Sequence, residues 1–411
     1  MPFLNMIRIP RPPGQLIYYL FCGALFLMPM GTSPFTILGV CLLGVWIFSG
    51  EFIRKRESYL HCEWFLPVAA MVGIVWLGLI WSPEPLGLGF KYVKKTHYWL
   101  YALAISSITF SENAEDRLIK AFLAGLLLNA IVGYLQLGHI IPYFSKADSP
   151  TATGFYSGYN TLAILLVLGM MIASFYFKNS RDRKGKLLYL ILTLSYFTHL
   201  IILGGRGGYL TFALLSPMIV YNTCYRKRIF SMFLIYAVVI AIMFSYPLVR
   251  NRISELTKDF LNNIKAGSDA TYGKIYTGHV DRIYMWRWAF DLFVEHPLIG
   301  VGTGGYRQAI LKAGGERGPA HPHNNFLYMA VSFGILGIAV FIWFFWILFR
   351  NGWRNRDKPV GYFILATGLV IFVGGFTDTH ILDAGPAFLL AATTGLQAAL
   401  PKCGVGAKHG P

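Results

Sequence analysis

The residues most able to do chemistry are basic or are histidines. Arg206 stands in the frame Gly204-Gly205-Arg206-Gly207-Gly208. A planar guanidinium suits bidentate phosphate binding, and flanking glycines allow backbone to approach a ligand closely. A tight turn whose arginine reaches toward lipid headgroups explains the same residues equally well. Arg282 opens the stretch RIYMWRWAFDLFVEH. A cation at a helix N-terminus opposes the helix dipole, a cost easier to explain if an anion sits between the guanidinium and the free N–H groups. Arg287 has Asp291 four residues on and is read first as half of an ion pair.

His321-Pro322-His323-Asn324 places two histidines before an apolar run. Imidazole titrates near neutrality and so suits general-base work. A polar loop end, or two ligands of a metal site needing more, are the alternatives. Asp378, His380 and Asp383 also have a metal-like spacing, but a capped turn between two helices explains them more simply. The run Gly300-Val301-Gly302-Thr303-Gly304-Gly305 follows a helix rather than a strand. It is therefore read as a pliable turn, able to lend backbone donors near a phosphate, and not as a nucleotide loop. Lys94, Lys95, Arg307 and Tyr276 are second-rank candidates. The two lysines would meet either substrate phosphates or lipid headgroups.

The elements that hold these residues are hydrophobic. Charged residues make up 13% of the 411-residue chain and apolar ones 55%, with a mean hydropathy of +0.52. The apolar residues come in blocks of bilayer-spanning length. Twelve spans are predicted: Gln15–Met30, Thr32–Ser49, Trp64–Trp81, His97–Phe110, Leu118–Gly138, Asn160–Phe177, Lys186–Leu203, Gly208–Cys224, Ile229–Pro247, Phe326–Phe349, Val360–Thr377 and Ala384–Leu400. The fold class is thus all-α, a polytopic integral membrane protein of about twelve helices with a large, partly helical external loop. The first run, preceded by Arg8 and Arg11, is read as a retained span and not a cleaved signal. The five cysteines fall outside the external loops, which argues against disulfides or thiol catalysis there.

The formal charge of +17 does not imply nucleic acid, because no nucleic-acid module is present and loop lysines and arginines orient membrane proteins. With the N-terminus inside, 21 basic residues lie in inner loops and 15 outside, ten of the latter in the single segment Leu248–Asn325. Both termini are therefore expected in the cytoplasm. Leu248–Asn325 is too long for an ordinary connection and is expected to carry function. The chain divides into spans one to nine (1–247), this loop (248–325), and the last three spans with a tail (326–411). Within the loop, Arg282–His296 is a predicted helix with Ile283, Trp286, Phe290 and Phe293 on one face, suited to lie along the membrane surface. The spans hold essentially no Asp or Glu, which removes the usual sign of a proton-coupled transporter.

The stretch His323-Asn324, nine residues, Gly334, two residues, Gly337 resembles a signature of the O-antigen ligase superfamily. Arg282-x-x-x-Trp286, His296-Pro297-Leu298-x-Gly300-x-Gly302 and the glycine-framed Arg206 are similar to other parts of that family. The resemblance implies a bacterial inner-membrane glycosyltransferase with a periplasmic site. Its donor would be a glycan on undecaprenyl diphosphate and its acceptor a sugar of lipid A–core, with membrane lipids around it and no nucleic acid.

On that reading Arg206 and Arg282 bind the diphosphate, and His323 takes the acceptor proton, oriented by Asn324. His321, Arg287, Lys94, Lys95, Arg307 and Tyr276 supply further substrate contacts. The expected transfer is inverting and needs no metal or cofactor, since arginines replace a divalent ion. An O-antigen polymerase or protein O-oligosaccharyltransferase of the same superfamily is the alternative, and a polytopic transporter the remote one. The intact His-Asn signature favours a ligase over a polymerase. The lack of a further module after the last span favours it over a protein-glycosylating relative.

Overall fold

The computed structural model describes residues 13–400 apart from 111–112, 145–151, 157, 224–235, 239, 242, 248, 252–253, 255–279 and 313–318. Among the described residues all regular structure is helical and no strand occurs. Helices follow from composition: in lipid each backbone polar group must be satisfied within its own segment.

In chain order the main helices are α1 (Pro13–Leu27), α2 (Thr32–Phe48), α3 (Phe65–Leu77), α4 (Tyr98–Ser106), α5 (Ala114–Leu137), α6 (Tyr159–Asn179), α7 (Arg183–Leu203) and α8 (Arg206–Thr223). They continue with α9 (Val280–Glu295), α10 (Tyr306–Lys312), α11 (Asn325–Arg354), α12 (Pro359–Gly374) and α13 (Ala384–Leu396). Five are long and apolar enough to cross a membrane: α1 with its 3-10 extension to Met30, α5, α6, α7 and α11. Helices α2, α3 and α12 are apolar but shorter. The expected count of about twelve spans would require these shorter helices as well, and part of the expected span Ile229–Pro247 lies outside the described residues.

Helix α6 is the centre of the bundle. Every residue from Thr161 to Tyr176 is buried, which is how a helix apolar all round behaves when neighbours cover it. Helices α7, α8 and α12 pack against it. Gly205 and Gly208 bring the start of α8 onto Ala163 of α6, where a Cβ would collide. Elsewhere α1 packs on α2 and α5, α4 on α13, and α11 on both α12 and α3.

Helix α11 is broken inside its first third. Gly334 adopts φ 63° and ψ −152°, a region essentially restricted to glycine. The break exposes backbone groups that a continuous helix would pair with itself. The glycine run takes them up: Val301 N donates to Val331 O (2.8 Å) and Gly302 N to Ser332 O (3.0 Å). Ile335 N donates to Pro297 O (2.8 Å). The same run closes the C-terminus of α3, where Thr303 N donates to Gly78 O (3.0 Å) and Thr303 Oγ1 to Val75 O (2.6 Å). The expected pliable turn is thus a wedge pinned between two helices, and these backbone donors are engaged within the protein.

This wedge also decides which face of α9 is buried. The helix lies where the sequence places it, but Ala289 and Leu292 are its buried residues, packed with Val301, Tyr306, Ile310 and Val331. Phe290, on the face predicted from periodicity, is 57% exposed. The returning glycine run supplies a protein partner on one side of α9 and leaves the other side to its surroundings.

Candidate functional site

The connection between α12 and α13, residues 375–383, gathers several of the candidate side chains at one end of the bundle. Its backbone is held from several directions. Asn325 N donates to Gly375 O (2.7 Å), Asn324 Nδ2 to Phe376 O (3.0 Å), and Asn324 N to Thr379 Oγ1 (3.0 Å). Ile381 N donates in turn to Asn325 Oδ1 (3.2 Å). The Thr161 hydroxyl donates to Asp383 Oδ2 (3.0 Å), and Lys95 Nζ reaches Leu382 O.

His323 sits against this connection. Its Nδ1 is 2.8 Å from Asp378 Oδ1, and Thr379 N donates to the same oxygen at 2.8 Å. The backbone of His323 is left-handed, at φ 49°. Such a conformation is uncommon outside glycine and persists where its surroundings fix it. Here the following residue does so: Asn324 Oδ1 accepts from Phe326 N (2.9 Å) and Leu327 N (3.0 Å), capping α11. Asn324 was expected to orient His323 directly. Its side chain instead caps α11 and grips Phe376, and Asp378 is the group in contact with the imidazole.

Burial alone would raise the Asp378 carboxyl. The His323 hydrogen bond and the charges of His380, His323 and Arg282 outweigh it and hold the carboxyl well below the usual carboxylate range. An ionised Asp378 favours the neutral tautomer that carries its proton on Nδ1 and keeps the lone pair on Nε2.

Arg282 lies on the other side of the same carboxylate. One nitrogen donates to Thr377 O (2.8 Å), and the other is 3.6 Å from Asp378 Oδ2. Asn160, at the start of α6, donates to Oδ2 as well (3.2 Å). Arg206 begins α8, and its neighbour Gly207 is so close to Thr377 that a Cβ would collide with the threonine hydroxyl. Arg282 thus contacts Thr377 directly, and the start of α8 beside Arg206 packs against the same residue. Of the glycines around Arg206, Gly205 and Gly208 pack on Ala163 and Gly207 on Thr377.

The His321 ring lies beside that of His323, tilted by 57° with ring centres 4.4 Å apart. Its Nδ1 is buried without a hydrogen-bond partner. Burial, and then the neighbouring His323, push its pKa down to about 4. His321, His323 and Asp378 could hold a metal ion, their ligand atoms lying within 4.8 Å of one another.

The second-rank residues separate. Lys95 faces the connection, and burial lowers its pKa. Together with Met71, Val75, Tyr92, Trp99, Tyr328 and Leu390 it lines an apolar cavity of about 70 Å³. Lys94 is exposed and lies over the Phe90 ring instead. Arg287 and Arg307 are exposed. Tyr276 lies outside the described residues. Asp378 and Asn160 are the participants that the sequence reading did not place here. The signal for Asp378 was its position in the last loop expected to be external, but its partner stands 55 residues earlier.

At one end of this helical bundle Arg282 and His323 meet the Asp378 carboxylate, and the half-buried Lys95 reaches the same connection at Leu382. Residues 188–342 match the family described as O-antigen ligase, which supports the resemblance read from the sequence. Members of that family are membrane glycosyltransferase-like enzymes, ligases and polymerases. The matched stretch contains Arg206, Arg282 and His323, while Asp378 lies beyond it. No curated protein matches the chain.

Proposed function

We propose that this chain is an O-antigen ligase of the bacterial inner membrane, acting at the periplasmic face. It moves polysaccharide from undecaprenyl diphosphate to a sugar hydroxyl of lipid A–core. The observation that carries this reading is the 2.8 Å contact of His323 Nδ1 with Asp378, with Arg282 on the opposite carboxylate oxygen. One group is set to accept a proton and another to meet an anion within a few ångströms.

The chemistry follows from these groups. The acceptor hydroxyl gives its proton to His323 Nε2 as its oxygen bonds to the anomeric carbon. The bond from that carbon to the diphosphate oxygen breaks, and undecaprenyl diphosphate leaves. Arg282 and Arg206 offset the charge that grows on the leaving oxygen. Attack opposite the departing group inverts the anomeric centre. Lys95, which reaches Leu382 O, adds a further cation at the same connection. With arginines as the cationic partners, the reaction needs no divalent metal.

Surface lipopolysaccharide from a strain lacking this protein tests the reading. A ligase null leaves bare core, with polymer retained on its lipid carrier. Core bearing a single repeat unit would identify a polymerase instead, and an unchanged ladder would remove both. Transfer by purified protein in detergent, with no gradient, would exclude transport as the primary activity.

A further inference from the structure

We infer that His321, His323 and Asp378 form a binding site for a first-row divalent cation of zinc type, whose occupancy blocks the proposed transfer. The inference rests on the reading of His323 as the base and adds an inhibitory ligand to that site.

Three observations carry it. The donor set is two imidazoles and a carboxylate from three positions, with ligand atoms within 4.8 Å of one another. This set suits zinc, cobalt or nickel better than magnesium or calcium, which prefer all-oxygen shells. It also resembles in composition the three-ligand zinc sites that leave one position open. Second, His323 Nδ1 and Asp378 Oδ1 are already 2.8 Å apart, sharing a proton. Ligands in a tetrahedral zinc site stand roughly 3.3 Å apart, from bonds of about 2.0 Å, so exchange of that proton for a metal opens the pair only slightly. Third, His321 Nδ1 is buried and has no hydrogen-bond partner, while its ring lies against His323. A donor in that state lacks an occupant that a metal would supply.

The surroundings limit the affinity. Arg282 is 3.6 Å from the far carboxylate oxygen, Asn160 donates to that oxygen, and Thr379 N donates to the near one. A cation therefore competes with a guanidinium and two hydrogen-bond donors for one carboxylate. This favours reversible binding over a permanent structural metal. Because His323 would spend its Nδ1 lone pair on the ion, Asp378 would no longer hold it in the tautomer that accepts a proton.

The test uses the full-length protein in detergent, stripped with chelator. Cobalt is titrated in, the visible bands of a tetrahedral complex are followed, and zinc is competed against a chromophoric chelator. The expected result is one ion per chain, with affinity reduced at least tenfold in His321→Ala and also in the volume-conserving His321→Gln. Zinc should inhibit transfer by the unsubstituted protein, and chelator should restore it. Failure to bind one ion, or affinity unchanged from the parent in both His321 variants, would overturn the inference and leave the transfer reading intact. Transfer abolished by chelator and restored by zinc would overturn both the inhibitory role and the metal-independent reaction.

Discussion

His323 and Asp378 are joined by a 2.8 Å contact between Nδ1 and Oδ1, while the backbone that delivers the imidazole is left-handed at φ 49°. The carboxylate fixes which ring nitrogen carries the proton, and the unusual backbone fixes where the ring stands. In Asp378→Asn the side chain is nearly isosteric, but it no longer has a charge and can turn its amide nitrogen toward Nδ1. That orientation favours the opposite tautomer, with Nε2 protonated and unable to accept. Positioned general bases contribute roughly 10²- to 10⁴-fold. Asp378→Asn should lose on the order of 10²-fold or more in transfer from a lipid-linked donor, while still inserting and purifying. Retention of more than about a tenth of the activity, against that expected contribution, would remove Asp378 from this role.

Arg282 makes two directed contacts from one guanidinium, to Thr377 O and toward Asp378 Oδ2. A lysine in its place is a point charge that cannot span both. Arg282→Lys should therefore retain charge near the site yet lose transfer. Arg282→Ala should lose more, since removing one donor to a developing anion commonly costs about 10²- to 10³-fold. Initial rates for both variants at saturating donor check this. Equal rates for Arg282→Lys and the parent would show that charge alone suffices.

Much of this site was legible before the fold was known. Arg206, Arg282 and His323 each have a side chain whose chemistry is unusual for its surroundings, and the structure brings Arg282 and His323 to one carboxylate. Asp378 was harder to assign. A carboxylate near another acid and a histidine reads equally well as a cap, and nothing local to it points to His323. The glycine run was misleading for a physical reason. Sequence reports that glycine is required at a position, but not whether the neighbour is a ligand or a helix. For Gly300 it is the backbone at Ser332 and Phe333, and for Gly302 it is the backbone at Gly78 and Ser82. The face of α9 that packs on the protein is likewise set by that returning run, while Phe290 on the periodic face stays exposed.

His321 gives the protein a pH dependence whose direction can be worked out. Its folded-state pKa is pushed down to about 4, first by burial and then by His323. An unfolded histidine titrates near 6.5. Between these values the unfolded chain binds more protons, so the stability that neutral His321 contributes is complete above about 6.5 and declines as pH falls toward 4. Asp378 is also depressed, and its contribution is lost only below the unfolded carboxyl value of about 3.9. In chelator-treated protein, the thermal midpoint should fall from about pH 7 to about pH 4.5, within the His321 window. His321→Gln cannot titrate and should flatten that slope by a few degrees. Parallel curves for the two proteins would show that His321 is not the group responsible.

Gly334 tests whether the broken helix is a requirement of the fold. At φ 63° and ψ −152° a side chain is strained whatever the space, and a Cβ would also collide with the backbone of Leu298 and Pro297. Neither neighbour can move without releasing Ile335 N from Pro297 O, which holds the wedge to α11. Gly334→Ala should cost roughly 3 kcal/mol or more, read as a large drop in the midpoint of heat-induced aggregation and a fall in monodisperse yield. Gly44 provides the control, because it lies inside helix α2 with open space where a Cβ would go. Alanine there should be neutral or stabilising by about 0.5–1 kcal/mol. Damage at Gly334 without damage at Gly44 would locate the effect in the break itself. Normal stability of Gly334→Ala would mean that α11 can close into a continuous helix, leaving Val301 and Gly302 to find other partners.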